Sequence, residues 1–281
     1  DLLSNPLVLA LLCNIYKGEN YIPRNRPDIY DKCAVMLFER WDKSRKLYAP
    51  PLFEEHIRPL IEYLAQWIYQ DEKLRKGVTE EELVTQAIEY LHDWVFEDIK
   101  KAERVAYEFI QFCTAGRAWV FLDTGTKKEG EKLYQFAHST FLEYFTASYL
   151  VGTLRTPNAL IRFLLPRIAK REWDVMAQLA FQLQNKRMPG AGDELITALL
   201  DSCSERQTSR DWNLLSFAVR CLQFLAPRPK VIRNIAKETV GQLLSWGLRQ
   251  KTSEKRTGQM ALVISAPLEN MSTLLKSPHN N

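Results

Sequence analysis

The chain has 281 residues, of which 46% are hydrophobic and 26% are charged, and its formal net charge is +4 at pH 7. This composition excludes a disordered chain and is typical of a globular protein with a sizeable core, of a length sufficient for two or three compact units. A net charge this small gives no reason to expect a dedicated nucleic-acid binder, whose basic residues cluster on one face.

The cysteines are odd in number and lie far apart: Cys13, Cys33, Cys113, Cys203 and Cys221. Without a Cys-x-x-Cys pair they indicate neither a zinc site nor a disulfide framework, and free thiols favour a cytoplasmic location. The longest apolar run, 6–13, is too short to cross a bilayer. Because the chain begins without Met and almost at once enters a helix, we expect a fragment of a longer protein.

Residues 1–50 predict a small helical domain. The first helix, 1–16, is apolar nearly all round, so other protein must cover it on several sides. Ser4 is its expected N-cap, and Pro6 stands in its first turn, where a missing N–H costs nothing. A second helix is predicted, capped by Asn25, with Pro27 in its first turn and an end at about residue 46. The pair Pro50–Pro51 then marks a domain boundary.

Residues 51–153 predict a winged-helix domain. Helices are expected over 53–69, after a Thr79–Glu82 capping box, and over 103–113. Two β-like runs follow, 118–123 and 132–136, and we expect them to pair as a β-hairpin wing. An aromatic helix, 140–154, closes the domain.

Beyond Thr156–Pro157 the pattern is entirely helical and predicts a stacked, HEAT/armadillo-like array over 154–281. The expected helices are 158–169, 172–185, 191–204, 211–225, 229–250 and 257–275. Basic residues at the loop ends of this array are either ordinary solvated side chains or contacts for a ligand. They are Arg167, Lys170, Arg171, Arg228, Lys230, Arg249, Lys251, Lys255 and Arg256.

His138 stands where the second β-like run gives way to the aromatic helix. Thr140 and Glu143 have the spacing of a capping box, which would place the ring at the positive end of the helix dipole. Such a position suits an anion, phosphate in particular. A purely structural role for the histidine is the competing interpretation.

Sequence motifs for catalysis or metal binding are not found, so we predict no catalytic residue and no metal ligand in this chain. The segment 125–132 approaches a phosphate-binding loop, but Glu131 occupies the place of the essential lysine. The third helix of the predicted winged helix, 103–112, is close to neutral. This disfavours DNA reading, which requires basic residues there.

Two segments resemble the NACHT-type STAND NTPases, an NLR-like family. Residues 2–13, followed by Ile22-Pro23-Arg24-Asn25-Arg26 and Tyr30, resemble the small helical domain that follows the nucleotide-binding core of these proteins. Residues 136–147 are similar to the Phe-x-His-x-x-Phe-x-Glu-Tyr-Phe-x-Ala pattern that ends their winged-helix domain. The resemblance covers about residues 1–153, and it departs from the family at Leu142, where many members have Gln.

The resemblance implies a role for two residues. Pro6 matches the proline that packs on the adenine base, and His138 matches the histidine that contacts the β-phosphate of ADP and holds the closed form. The cofactor would be ADP or ATP. The Walker A loop and the magnesium-binding residues lie outside this chain, so the chain alone is expected neither to hydrolyse nucleotide nor to bind it tightly.

The function that follows is the regulatory and sensor portion of a nucleotide-switched NTPase. We expect it to serve in prokaryotic defence, including antiviral defence, or in stress signalling. Its expected partners are an upstream nucleotide-binding domain, other copies of the protein on activation, and a protein or nucleic-acid trigger. A winged-helix transcription regulator with a helical ligand-binding domain is the alternative. A passive helical scaffold is a third possibility.

Overall fold

A computed structural model describes residues 6–22, 25–35, 53–114, 120–126, 130–204 and 208–250. This part of the chain is mainly helical and contains twelve helices and three short strands. None of the helices described has both the length and the apolar character needed to cross a membrane. The structure divides into two compact units between Leu150 and Val151, and each is described by itself below.

The first unit contains a small sheet among its helices. Its helices are α1 (Pro6–Glu19), α2 (Arg26–Val35), α3 (Phe53–Gln70), α4 (Glu72–Arg75), α5 (Glu80–Trp94), α6 (Ile99–Thr114) and most of α7 (Ser139–Thr153). Its strands are β1 (Val78–Thr79), β2 (Phe121–Thr126) and β3 (Lys132–Phe136). Over its described residues, 151–204 and 208–250, the second unit is helical wherever it has regular structure. Its helices are α8 (Pro157–Ala169), α9 (Asp174–Arg187), α10 (Ala191–Asp201), α11 (Ser209–Cys221) and α12 (Pro229–Gln250).

Helix α1 packs against α2. Leu11, Leu12 and Ile15 are buried, whereas Leu9 and Tyr16 on the other side are 42% and 55% exposed. One apolar face of the helix is therefore buried, and another apolar face is exposed in the described part of the chain. The predicted cap of α2 is confirmed, since Asn25 Oδ1 accepts a hydrogen bond from the Asp28 N–H at 2.9 Å.

The three strands form an antiparallel sheet in the order β1-β3-β2. The predicted hairpin is confirmed by the pairing of β2 with β3, which is interrupted by a bulge between Asp123 and Gly125. Strand β1 was not predicted. It has only two residues, paired with Tyr134 and Leu133 of β3, and two residues are too few to show an alternating pattern.

The predicted Thr79–Glu82 capping box is confirmed at the start of α5. Thr79 Oγ1 accepts the Glu82 N–H at 3.2 Å, and the Glu82 carboxylate accepts the Thr79 N–H at 2.7 Å. Two of the four unpaired N–H groups at the helix start are thereby satisfied. The cap fixes the point where β1 turns into α5, and α5 then packs along α6.

The predicted Thr140–Glu143 capping box at α7 is wrong. The helix begins at Ser139, and the His138 carbonyl accepts the N–H groups of Phe141 and Leu142 at 3.1 and 3.3 Å. His138 is therefore the N-cap residue, and Thr140 lies inside the first turn. From there its hydroxyl reaches back to the His138 ring, at 3.0 Å from Nδ1, so it has a role other than capping.

In the second unit α10 occupies the centre, in contact with α8, α9, α11 and α12. Its residues Leu195, Ile196 and Leu199 are fully buried, and Phe181 and Phe217 meet edge to face beside it with ring centroids 5.4 Å apart. The helices predicted over 158–250 are confirmed with small differences at their ends. The helix predicted over 257–275 lies outside the described residues.

The start of α11 is held by a buried carboxylate. Asp211 accepts hydrogen bonds from the N–H and hydroxyl groups of both Ser204 and Thr208, at distances of 2.7 to 2.9 Å. Burial acts to raise the pKa of Asp211, but these hydrogen bonds outweigh it and leave the pKa below its ordinary value. The carboxylate is thus ionised at neutral pH and ties the loop before α11 to the helix.

The three-domain division predicted from the sequence, 1–50, 51–153 and 154–281, stays a prediction. Its first boundary, at Pro50–Pro51, lies outside the described residues, as do residues 36–46 of the second predicted helix. The division observed between Leu150 and Val151 falls within α7, close to the second predicted boundary.

Candidate functional site

His138 lies at the junction between β3 and α7 in the first unit. The preceding residue is fixed to the sheet edge, since the Ala137 N–H donates to the Val120 carbonyl at 2.8 Å. The imidazole is partly exposed, and Thr140 lies beside it. Burial lowers the pKa of His138 from its ordinary value, so the ring is neutral at pH 7.

Aromatic rings pack beneath this junction and join α2 to α7. The Tyr30 ring lies 6.0 Å from that of Phe141 and 5.7 Å from that of Tyr144, measured between centroids. Phe145 packs next to Phe141 and also lies 6.4 Å from Phe136 at the end of β3. The first turns of α7 are therefore held between helix α2 and the sheet.

Glu143 lies one turn beyond His138 on α7, where most of its carboxyl group is shielded from water. Burial raises its pKa to about 7, and the positive charge of Arg26 at the start of α2 opposes the rise only in part. The carboxyl group is consequently divided between its charged and neutral forms at physiological pH. This acidic residue belongs to the motif on which the family resemblance rests.

A network of polar side chains connects α2, α3 and α7. The Arg58 guanidinium lies 2.7 Å from Asp31 and 3.1 Å from Glu62, and it donates to the Tyr144 hydroxyl at 3.1 Å. The Tyr144 hydroxyl donates to Asp31 at 3.1 Å, and Ser148 donates to Glu62 at 2.8 Å. Each carboxylate of the network thus has both a cation and a hydroxyl donor.

Of the two predicted site residues, only His138 has a described side chain. Helix α1 begins at Pro6, but the Pro6 side chain lies outside the described residues, so its predicted contact with an adenine base stays a prediction. Among the residues described, no group of three or more His, Cys, Asp or Glu side chains could hold a metal ion.

Two of the predicted ligand-facing basic residues have partners within the second unit. Arg167 pairs with Glu172 at 2.9 Å and stacks over Trp173, and Arg228 pairs with Asp193. Lys170, Arg171 and Lys230 are exposed, and the side chains of Arg249, Lys251, Lys255 and Arg256 lie outside the described residues. Arg228 also borders an open cavity of about 460 Å³ between the loops that precede α10 and α12.

Sequence reasoning missed the residues that surround His138 and those that brace its helix. Tyr144 and Asp31 are 113 positions apart, and Arg58 and Tyr144 are 86 apart. No local pattern relates residues at such separations. The sequence offers one signal, because the motif over 136–147 contains Tyr144. The motif does not indicate which residues Tyr144 contacts.

Comparisons of the chain with protein-family models, with curated proteins and with solved structures found no match.

Proposed function

We propose that the chain is the regulatory and sensor portion of a nucleotide-switched NTPase of the NACHT type. In this proposal His138 contacts the β-phosphate of ADP, which is bound mainly by a nucleotide-binding domain upstream, and so holds the closed state. The observation that carries the proposal is the position of His138 as N-cap of α7, with a partly exposed ring. Burial lowers the pKa of this ring, which favours its neutral form. A neutral imidazole can donate one hydrogen bond to an anionic oxygen, and the helix dipole favours negative charge at that end.

The order of elements in the first unit supports a winged-helix assignment. Helix α3, strand β1, helices α5 and α6, and the β2–β3 hairpin follow one another along the chain, and the hairpin edge is completed by β1. In the second unit, the consecutive packing of α8 to α12 supports a helical array in the HEAT/armadillo manner. In the proposal, the winged helix carries the histidine and the helical array senses the trigger.

The exposed face of α1 supports the proposal that a further domain packs against the first unit. Leu9 and Tyr16 on α1 are exposed, as are Cys13 between them and Tyr21 and Ile22 just after the helix. Exposed apolar side chains that lie together are typical of surfaces covered by another protein part. The upstream nucleotide-binding domain is the proposed cover, and Pro6 would then face the adenine base.

A switch follows from the different contacts that the two nucleotides allow. A histidine that contacts the terminal phosphate of ADP has a different environment when a further phosphate is present, and only such a difference can move a two-state equilibrium. Loss of the contact would release the winged helix, and the protein would then oligomerise to signal. Sensing by the helical array would favour this release, in defence or stress signalling.

The proposal is tested by His138→Ala in the complete protein. We expect less ADP to be retained through purification and the resting activity to rise, because the closed state loses a contact that the open state does not use. His92→Ala is the matched control, since His92 is exposed at the end of α5. Unchanged ADP occupancy together with unchanged resting activity in His138→Ala would contradict the proposal.

The competing function, a winged-helix transcription regulator, would use α6 to read DNA. The exposed residues of α6 have mixed charges, since Lys100 and Arg104 alternate with Glu103 and Glu108. This surface does not provide the concentrated positive charge that phosphate contacts need. An electrophoretic shift at physiological salt that depends on DNA sequence would favour the regulator over the switch.

A further inference from the structure

We propose that Thr140 is a positioning residue that holds His138 in the tautomer with its proton on Nε2. The inference concerns the protonation of the ring and the residue that fixes it. Its consequence for a phosphate rests on the proposed function. The two steps can be tested separately, because the tautomer can be measured in this chain without a nucleotide.

The argument begins with the donors that face Nδ1. The Thr140 backbone N–H points to Nδ1 with a nitrogen–nitrogen distance of 3.5 Å, and Thr140 Oγ1 lies 3.0 Å from the same atom. A backbone N–H can only donate, so it favours an Nδ1 that is unprotonated and offers its lone pair. The hydroxyl can donate as well, and then both groups satisfy Nδ1 as an acceptor.

The backbone of α7 fixes the direction of the Thr140 N–H, because Thr140 lies in the first turn of that helix. Rotating the His138 ring, or moving its proton to Nδ1, would place two hydrogens against each other at the Thr140 N–H. The neutral ring in this orientation therefore carries its hydrogen on Nε2.

The tautomer determines which kind of ligand atom can bind to Nε2 of the ring. With the hydrogen on Nε2, the ring donates at that atom, which suits a phosphate oxygen and opposes a hydrogen-bond donor. With the hydrogen on Nδ1, Nε2 would present a lone pair, which repels an anionic oxygen. Thr140 would accordingly give the histidine its preference for an anion without requiring the ring to be charged.

The tautomer is measured by nitrogen NMR of the 281-residue chain labelled with ¹⁵N-histidine, at a pH above the His138 pKa. We expect a single Nε2–H form in the wild type and in Thr140→Ser, which keeps the hydroxyl. In Thr140→Val, which removes the shorter of the two contacts with Nδ1, both tautomers should be populated. Ser139→Ala, which removes an exposed hydroxyl at the next position, is the matched control and should resemble the wild type. Backbone amide spectra establish that each variant is folded.

An Nδ1–H form in the wild type would overturn the inference, as would unchanged tautomer populations in a folded Thr140→Val variant. A second measurement concerns the complete protein, in which Thr140→Val should retain several-fold less ADP while Thr140→Ser retains the wild-type amount. If the tautomer changes as expected but ADP retention does not, the positioning role stands and the proposed phosphate contact fails. The failure of each step is thereby distinguished from that of the other.

Discussion

At the scale of single residues, Glu143 is a carboxyl group placed where its charge is costly. Its pKa is raised to about 7 by burial, which Arg26 offsets only in part. A group whose pKa is higher in the folded chain than in the unfolded chain holds its proton more tightly when folded. The stability that this proton provides is present below the unfolded pKa and is lost as the pH rises toward 7.

We predict that Glu143→Gln removes this pH dependence from the first unit. Between about pH 5 and about pH 8, titration of Glu143 should lower the unfolding free energy of the wild type by up to about 3 kcal/mol. The variant should lack this contribution. Urea unfolding followed by methyl NMR signals of α7 at the two pH values measures the difference. Equal slopes for wild type and variant would show that the carboxyl group is solvated in the folded chain. The comparison cancels the titration of Glu62, whose pKa burial also raises.

A second prediction at this scale concerns Arg58. Replacing Arg58 by Met leaves Glu62, whose side chain is 16% exposed, without its cation, and removes a partner of Asp31 and Tyr144. We expect a loss of about 2 kcal/mol, less than for a fully buried pair because water reaches the guanidinium. Hydrogen exchange of α3 and α7 peptides measures the loss, and Arg104→Met on the exposed face of α6 is the control. A change no larger in Arg58→Met than in the control would mean that water replaces the guanidinium.

At the scale of elements, local patterns predicted what depends on neighbours in sequence. The helices of the second unit, the hairpin and the Thr79–Glu82 cap were all found from such patterns. Strand β1 was missed because its two residues are strands only through their pairing with β3. The start of α7 was misplaced because Thr140 and Glu143 have the spacing of a capping box, whereas the turn after β3 already supplies the His138 carbonyl to the helix.

The start of α11 offers a prediction at the same scale. Asp211→Ala should destabilise the second unit by about 3 kcal/mol, because four hydrogen bonds to a buried carboxylate are lost at once. Asp201→Ala is the matched control, since Asp201 is exposed at the end of α10, and it should change stability by less than about 0.5 kcal/mol. Urea unfolding followed by signals of α10 and α11 measures both. Because the pKa of Asp211 is lowered, its contribution should also disappear as the pH falls through that pKa.

At the scale of the whole molecule, the candidate site could be located from the sequence but not constructed from it. The motif placed His138 at the start of a helix, and the helix dipole alone suggested an anion. Its neighbour Tyr30 comes from a helix that precedes it by more than a hundred positions, and Arg58 comes from a third segment. What selects these partners is the packing of α2 and α3 on α7, which depends on the complete core of the first unit.

The division into two units gives the last prediction. Each unit has its own buried core, and the Arg58 network and the Asp211 cap share no partner among the residues that the structure describes. We therefore expect the two substitutions to act independently in the double variant Arg58→Met/Asp211→Ala. By hydrogen exchange, the free energy of opening should fall in α3 as in Arg58→Met alone and in α11 as in Asp211→Ala alone, within about 0.5 kcal/mol. Arg58→Met alone should leave the protection of α11 unchanged, and Asp211→Ala alone should leave that of α3 unchanged. A loss of α11 protection in Arg58→Met would instead show that the continuous helix α7 couples the unfolding of the two units, because it crosses the boundary between them.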